Sequence, residues 1–273
     1  TLFVYHSSFG MIDLVQRMDA RPGTALIQTV PAIVNAQTVM ARSQQFAMRA
    51  YGQIFGTGLA WWSGGAGNFW GHNAIIRVAA FAANAGLPDL PGRGPLGGHI
   101  MSHDFIEAAL LRRAGWRVEI AGDIVGSYEE APPTIVDLAA RDRRWAQGNI
   151  QQVQLIFTKG FDWLSKVHMF AGLMSYVSGL LWLSLVVMGV LIACNAKFFD
   201  TEMLAAVPPD PTAGLRLLLI SVVLLTSPKW LAIIVWAAGK LPGWNRSPRF
   251  LVAVICDLGL TALMAPIIMR DHA

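Results

Sequence analysis

A carboxylate at the start of a predicted helix is among the residues of this chain best suited to chemistry. The stretch LGGHIMSHDFIEAALLRRAGW runs from Leu96 to Trp116, and in it a Gly-Gly pair gives way to Ser102-His103-Asp104. The first N–H groups of a helix have no partner within the helix, and Ser or Asp commonly accepts hydrogen bonds from them. Asp104 or Ser102 is therefore interpreted as a helix cap, and a functional acid is the alternative.

A second set of residues suited to chemistry lies in the segment ARDRRWAQGN. It places Arg141, Arg144 and Trp145 at positions i, i+3 and i+4, so a helix would carry all three side chains on one face. Arginine is suited to bidentate contact with a diphosphate. Tryptophan offers a flat surface that can stack on a sugar ring or on a base. The alternative interpretation is a solvated helix end, stabilised by pairing of its own charges.

The segment NFWGHNAIIR supplies a third group. Gly71 allows the backbone to come close to a ligand, and Asn73 and Arg77 offer hydrogen-bonding groups. A tight turn before a helix is the alternative. Each of the three signals is weak alone, but their order, followed by apolar segments of membrane length, indicates a common function.

The composition divides the chain into a polar part and an apolar part. Of the 273 residues, 54% are hydrophobic and only 14% are charged, and the mean hydropathy is +0.47. Soluble domains carry about a quarter of charged residues. Up to about Gln151 the chain mixes Arg, Asp, Glu and Gly as soluble enzymes do, whereas Leu, Val, Ile, Ala and Trp dominate after about His168. The modest net charge of +4, without basic runs, argues against nucleic-acid binding.

Predicted strands and helices alternate in the polar part. Strands are expected in TALIQTVP, from Thr24 to Pro31, and in WRVEIAGD, from Trp116 to Asp123. Helices are predicted over Gly10 to Ala20, over Val39 to Tyr51 and in PTIVDLAARDRRWAQGN. This alternation is typical of an α/β fold with a mostly parallel sheet. Ligands of such folds bind beyond the strand ends, where the loops gather.

Three segments are predicted to cross a membrane, because each supplies about 20 apolar residues. They are Met169 to Cys194, Leu217 to Gly239 and Phe250 to Met269. Pro228 and Lys229 interrupt the second, so a kinked or broken helix is expected there, with two short buried helices of a soluble domain as the alternative. Asp257 in the third is expected to face other helices or water, in a structural hydrogen bond or on a transport path.

Charged residues in the loops predict the orientation of these spans. The segment from Lys240 to Arg249 carries three basic residues and no acid, whereas the segment from Asn195 to Ala213 carries one lysine and three acids. By the positive-inside rule the first loop is cytoplasmic, which places the polar domain in the cytoplasm. Residues 151–168 have apolar side chains at helical spacing and are expected to form an amphipathic helix on the membrane surface. An ordinary core-facing helix is the alternative.

Several long motifs give the chain a family resemblance. The chain resembles processive, membrane-bound family-2 glycosyltransferases in ARSQQFAMRAYG, NFWGHNAIIR, LPGRGPLGGHIMSHDFIEAALLRRAGW, GSYEEAPPTIVDLAARDRRWAQGN, SPKWLAI and LMAPIIM. The branch it most resembles makes the backbone of bacterial osmoregulated periplasmic glucans. The resemblance implies a partial GT-A-type α/β glycosyltransferase domain in residues 1–150, the interfacial helix in residues 151–168 and a transmembrane bundle of about three spans in residues 169–273.

The resemblance also implies roles for these residues. Asp104 would be the general base that takes the proton of the acceptor hydroxyl during inverting transfer, and the start of its helix would hold the carboxylate ionised. Arg144 would stabilise the leaving diphosphate and Trp145 would form the floor of the acceptor site. Arg141 stands where the family usually has the Gln of Gln-x-x-Arg-Trp and is a further candidate for diphosphate binding. The remaining acceptor-binding candidates are Trp70, Gly71, His72, Asn73, Arg77 and His103.

The ligands implied by the resemblance include UDP-glucose, a nascent β-glucan and Mg²⁺ or Mn²⁺. The implied product is a β-1,2-linked glucan passed across the bacterial inner membrane. Besides the lipid bilayer, acyl carrier protein and periplasmic glucan-processing proteins are implied partners. The family's metal-binding Asp-x-Asp does not occur in this chain. We therefore expect an internal fragment of a synthase or a degenerate copy, with little or no catalysis by itself.

Three other functions stay open on the sequence. Another β-glucan or hyaluronan-type synthase would share the shorter motifs. A catalytically inactive membrane scaffold would fit the missing Asp-x-Asp. A transporter would fit Asp257 and the interrupted second span, but it would not explain the SHDF and RDRRW segments.

Overall fold

Two small mixed sheets form the framework of the polar part. The computed structural model describes residues 4–92, 94, 96–198, 212–241, 243–244 and 246–272. In one sheet, β6 (Ser127–Glu130) lies between β1 (Val4–His6), to which it is antiparallel, and β3 (Ala32–Val34), to which it is parallel.

The second sheet contains both predicted strands. Its central strand β2 (Thr24–Thr29) pairs in parallel with β5 (Arg117–Ala121) and antiparallel with β4 (Ala74–Ile76). All six residues of β2 are buried, as its apolar sequence predicts. The expectation of a mostly parallel sheet is wrong, because each sheet contains one antiparallel edge strand.

Seven helices accompany these sheets in the described residues 4–156. They are α1 (Ser8–Asp19), α2 (Val39–Ala47), α3 (Gln53–Ser63), α4 (Val78–Asn84), α5 (His103–Arg113), α6 (Ile135–Gln151) and α7 (Val153–Ile156). The helix predicted to end near Tyr51 instead continues through a π-helical turn, Met48–Gly52, into α3. It ends at Gly64, whose positive φ of 54° stops the helix.

Helix α5 is fixed against the second sheet by apolar packing. Leu111 of α5 is fully buried in one cluster with Leu26 of β2 and Val118 of β5. Burial of large aliphatic side chains of this kind contributes about 1.5–3 kcal/mol each. The packing therefore determines where the first turn of α5, which carries Asp104, is placed.

Three long helices follow. They are α8 (Trp163–Phe198), α9 (Ala213–Ala237) and α10 (Arg249–His272). By length and composition their segments Trp163–Ile192, Leu215–Ala237 and Arg249–Ile268 can each cross a membrane, as predicted. A kinked or broken helix is expected at Pro228, and the described residues of α9 form one unbroken helix through it. A kink there stays a prediction. Of the predicted external loop, residues 199–211 lie outside the described residues.

The segment predicted as one amphipathic helix, residues 151–168, is interrupted. Helix α7 ends at Ile156, and α8 begins only at Trp163. Asp162 separates them, because its carboxylate accepts the backbone N–H of Leu164 at 2.7 Å and also binds Arg112 at 3.1 Å. The expectation of a single helix is wrong, and a position on the membrane surface stays a prediction.

Asp257 faces the protein, as predicted. Its carboxylate accepts hydrogen bonds from Ser43 Oγ at 2.8 Å and from Tyr51 OH at 3.3 Å, and it forms an ion pair with Lys229 of α9. This residue thus joins two apolar helices to α2 and the π-helical turn. The arrangement favours the structural role expected for it.

Candidate active site

One cavity of about 980 Å³ brings most of the predicted site residues together. Its walls come from α2, the π-helical turn and α3 on one side, and from β6, α6 and the start of α5 on the other. The predicted residues that line it are Trp70, Gly71, His72, His103, Asp104, Arg141, Arg144 and Trp145. Each of the three sequence groups therefore contributes at least one residue to this cavity.

Asp104 lies in the first turn of α5, and the residue at the N-cap position is Ser102. The side chain of Ser102 accepts no hydrogen bond from the N–H groups of the helix. Its Oγ instead lies 3.5 Å from Asn149 Nδ2, while Gly148 of α6 packs against it. The capping interpretation is therefore wrong for Ser102, because this residue is held in the contact between α5 and α6.

The Asp104 carboxylate lies in a mostly buried charge cluster. His103 Nδ1 is 3.1 Å from Asp104 Oδ1 and 3.0 Å from Glu107 Oε1. Burial raises the pKa of Asp104, and His103, a backbone N–H and His72 partly oppose the rise. Burial therefore outweighs the groups that stabilise the ionised form, among them the N–H at the helix start. That the carboxylate is held ionised there stays a prediction. A carboxylate with a raised pKa is a stronger base once it is deprotonated.

A buried glutamine holds the loop that faces Asp104. Gln28, in the centre of β2, is fully buried. Its Oε1 accepts the backbone N–H of Trp70 at 3.0 Å, and its Nε2 donates to the carbonyl groups of His72 at 2.9 Å and Asn73 at 3.2 Å. Sequence reasoning missed Gln28. The available signal was an amide side chain in the middle of an otherwise apolar, buried strand.

The guanidinium of Arg141 stacks on Trp145. Its central carbon lies 4.5 Å from the centre of the indole ring, which is cation–π geometry. Arg141 Nε is buried and has no hydrogen-bond partner among the described residues. Burial lowers the pKa of Arg141, although an arginine remains charged. Together with Arg144 it provides two cations at the same wall of the cavity.

Glu129 is a cavity residue that the sequence reasoning did not identify. It belongs to β6, and its Oε2 lies 3.5 Å from Nε2 of His72. Burial raises the pKa of Glu129, while His72 and Arg141 oppose the rise. This acid links the loop of His72 to the arginine wall. Its sequence context, SYEE, resembles an ordinary exposed strand end, so nothing in the motif indicated it.

Asn73 and Arg77 are not at the cavity, contrary to expectation. Asn73 is buried with a φ of 55°, and its side-chain amide donates to Ser127 Oγ at 2.5 Å. Arg77 donates to the carbonyl groups of Thr24 at 3.1 Å and Met18 at 2.8 Å. Both side chains therefore join the two sheets and α1, and neither lines the cavity. A contact of either residue with the acceptor stays a prediction.

Comparison with known proteins identifies the family. A family model described as Glycosyl transferase family group 2 matches residues 11–246. The chain belongs to this glycosyltransferase family. Its relatives include proteins named "Glucans biosynthesis glucosyltransferase H" from Vibrio cholerae, 49% identical over 272 residues, and from Shewanella oneidensis, 48% identical over 269 residues. These alignments cover 96% and 95% of this chain but 38% and 37% of the relatives, so the chain spans less than two fifths of their length.

Glycosyltransferases of family 2 generally use a divalent metal ion. Within the described part of the chain, one triplet has ligand atoms within 4.8 Å of one another, namely His103, Asp104 and Glu107. A proton on His103 Nδ1 accounts for this closeness, because the nitrogen is at hydrogen-bond distance from both carboxylates. Mg²⁺ prefers oxygen ligands in octahedral geometry, which three side chains on one helical turn with a nitrogen between them do not supply. The triplet does not match the coordination that Mg²⁺ requires, and we assign no Mg²⁺ ligand to it.

Proposed function

We propose that this chain carries the base and the acceptor wall of an inverting glucosyltransferase. The donor is UDP-glucose and the product is the β-1,2-linked backbone of osmoregulated periplasmic glucans. One observation carries this proposal: Asp104 shares a cavity with the cations Arg141 and Arg144 and with the aromatic residues Trp70 and Trp145. A carboxylate, a cationic wall and stacking surfaces are what transfer from a nucleotide sugar to a glucan requires.

In the proposed reaction, Asp104 takes the proton of the acceptor hydroxyl as that oxygen attacks the anomeric carbon of the donor. The bond between this carbon and the diphosphate oxygen breaks, and UDP leaves with the electron pair. Arg144 and Arg141 balance the charge of the leaving diphosphate. The buried Nε of Arg141 makes no hydrogen bond in the described residues, and its nearest recorded acid is Asp142 Oδ1 at 4.0 Å, so its N–H can still donate to the diphosphate. Trp145, Trp70, His72 and His103 line the acceptor side.

The raised pKa of Asp104 supports its assignment as the base. A base takes up a proton more readily when its pKa is higher, provided that it is ionised at the working pH. His103 and His72 stabilise the ionised form, while burial opposes it. Gly71, which has no side chain, allows its loop to approach the carboxylate closely.

The setting of this reaction is the bacterial inner membrane, with the α/β domain in the cytoplasm. Three helices of membrane length and the basic loop after α9 support this orientation. A bound Mg²⁺ or Mn²⁺ would neutralise the diphosphate, and its ligands are expected outside this chain. The glucan crosses the membrane, and acyl carrier protein and periplasmic glucan-processing proteins are proposed partners. Because the chain spans 38% of its relative, the activity is proposed for the full natural protein, and the chain alone is expected to be inactive.

The test is Asp104→Asn in membranes that carry the full natural protein. Asn has nearly the same shape but cannot accept the proton, so incorporation of labelled glucose from UDP-glucose should fall by about 10²–10⁴-fold. Binding of labelled UDP should be largely unchanged. Glu107→Gln is the matched control: it lies on the same helix and contacts the same histidine, but it does not line the cavity.

Two results would overturn the assignment. The first is normal glucan synthesis by Asp104→Asn. The second is an equal loss in Glu107→Gln, which would indicate that any change to the charge cluster is harmful. Linkage analysis of the wild-type product tests the β-1,2 bond separately, because another linkage would identify another β-glucan or hyaluronan-type synthase while leaving the role of Asp104 intact.

A further inference from the structure

The last residue of α6, Gln151, is buried and binds the loop that connects α4 to α5. Its Oε1 accepts the backbone N–H of Met101 at 3.0 Å. Its Nε2 donates to the carbonyl groups of Gly97 at 3.2 Å and His99 at 3.0 Å. Met101 lies three residues before Asp104. A buried amide of this kind fixes the position of its partners, because losing a bond would leave a polar group buried without a partner.

The face of α6 that carries Gln151 also reaches the cavity. Arg144, Gly148 and Gln151 follow one another at i, i+4 and i+7, the spacing of residues on one helical face. Arg144 lines the cavity together with Asp104. Gly148 packs directly against the start of α5, since a Cβ atom built on it would be 2.5 Å from the backbone nitrogen of Ser102. One face of α6 therefore contacts both the cavity and the segment that leads into Asp104.

Apolar packing holds the other side of the same loop. Ile100 is buried in one cluster with Ile106 of α5 and Met169 of α8. Apolar attraction has no preferred direction, so it brings the loop to α5 without fixing its exact position along α6. Hydrogen bonds weaken steeply with distance and angle. The amide of Gln151 is thus the contact that relates this loop to α6 most specifically.

We infer that Gln151 is a positioning residue of the transfer reaction, which fixes the start of α5, and with it Asp104, relative to Arg144. The inference rests on the proposed function, because that function assigns the base to Asp104 and the diphosphate to Arg144. Gln151 is not among the described residues that line the cavity, so it acts through Met101 and not by touching a substrate. In-line attack needs the base and the leaving group at a fixed separation, and an error of about 1 Å can lower a rate about a hundredfold.

The first test is Gln151→Met in membranes that carry the full natural protein. Methionine has a similar length but cannot make the three hydrogen bonds to the backbone. Glucosyl transfer per UDP-binding site should fall by about 10–100-fold, while labelled UDP should bind with unchanged affinity. A residue needed only for folding would instead reduce the number of UDP-binding sites and leave the rate per site unchanged.

Gln154→Met is the matched control for this variant. Gln154 Nε2 donates to the carbonyl group of Leu96 at 3.1 Å, so it binds the same loop at a point farther from Asp104. The same replacement there should leave the transfer rate per UDP-binding site close to that of the wild type.

Gln151→Glu supplies a second readout, which also serves if the methionine variant does not fold. A protonated glutamate can accept the N–H of Met101 and donate to one loop carbonyl, whereas an ionised glutamate cannot donate. The transfer rate of this variant, divided by the wild-type rate at the same pH, should be near one at low pH and fall as the pH rises. Because burial raises the pKa of a carboxyl group, the fall is expected at higher pH than for an exposed glutamate.

Three results overturn this inference and leave the proposed function intact, provided that Asp104→Asn is inactive in the same assay. The first is a wild-type rate per UDP-binding site in Gln151→Met. The second is an equal loss in Gln154→Met, because the loop as a whole would then be responsible. The third is a rate ratio for Gln151→Glu that does not change with pH. Normal transfer by Asp104→Asn would instead overturn the proposed function, and this inference with it.

Discussion

Gly71 and Asp104 lie so close that a side chain at position 71 would collide with the carboxylate. A Cβ atom built on Gly71 would be 2.8 Å from Asp104 Oδ2 and 2.9 Å from its Cγ. The φ of Gly71 is 84°, a conformation that other residues rarely adopt. The glycine that the sequence indicated as a point of close approach therefore approaches the proposed base itself.

Replacing Gly71 by alanine should displace Asp104 and reduce glucosyl transfer. A displacement of this kind can lower a rate by about a hundredfold. Gly98→Ala is the matched control, because Gly98 has a similar φ of 82° but open space around its Cβ position. Both variants are compared by transfer rate and thermal unfolding. Equal losses of activity would show that backbone strain, rather than contact with Asp104, is responsible.

The acid limb of the pH–rate profile should depend on His103. A base works in its ionised form, so activity falls as the pH drops through its pKa. Because burial raises the pKa of Asp104, this fall is expected at higher pH than for an exposed aspartate. The positive charge of His103 opposes that rise, so His103→Gln should move the acid limb of kcat/KM to still higher pH. A shift to lower pH, or none, would contradict the assignment of Asp104 to this limb.

The ion pair between Lys229 and Asp257 should be sensitive to the loss of either partner. Both side chains are largely buried between α9, α10 and the π-helical turn. Lys229→Met or Asp257→Asn alone leaves an unpaired buried charge or an unpaired polar group, at a cost of about 3–5 kcal/mol in the free energy of unfolding. The double variant should recover much of that loss.

Thermal unfolding of the two single variants and the double variant in detergent provides the measurement. Lys240→Met is the control, because Lys240 is exposed beyond the end of α9. Additive losses in the double variant would show that the two charges do not stabilise each other. Loss of transfer activity without loss of stability would instead favour the transport-path interpretation of Asp257.

Arg77 should matter for stability and not for the acceptor. Its guanidinium donates to two backbone carbonyl groups, and hydrogen bonds from charged donors contribute about 1.5–3 kcal/mol each. Arg77→Met should therefore lower the unfolding temperature and leave the KM for the acceptor glucan unchanged. Arg144→Met, the same change at the cavity, should weaken UDP binding at unchanged stability. An increased KM for the acceptor glucan in Arg77→Met would indicate instead that Arg77 contacts the acceptor.

Local patterns in the sequence predicted the elements that carry the site. The buried run of β2, the helix of Arg141, Arg144 and Trp145, and the three apolar spans all follow from the period and length of apolar residues, which depend on neighbours in the chain. The meeting of Asp104 with that arginine face followed from family motifs. The order of the motifs indicated one site, and the cavity contains eight of the ten predicted residues.

Only the tertiary structure decided which side chains of the loop after Asn68 face the cavity. Gly71 and Asn73 both have positive φ, and such backbone angles in a loop redirect successive side chains in a way that no periodicity predicts. Hydrogen bonds to residues far along the chain then fix the direction of these side chains. Gln28 of β2 donates to the carbonyl group of His72, and Asn73 donates to Ser127 Oγ. The position of Glu129 beside His72 and the hydrogen-bond partners of Asp257 likewise depend on residues that are distant in the sequence. The sequence by itself thus determined the elements and the residue types of the site, while the packing of distant segments decided their final membership.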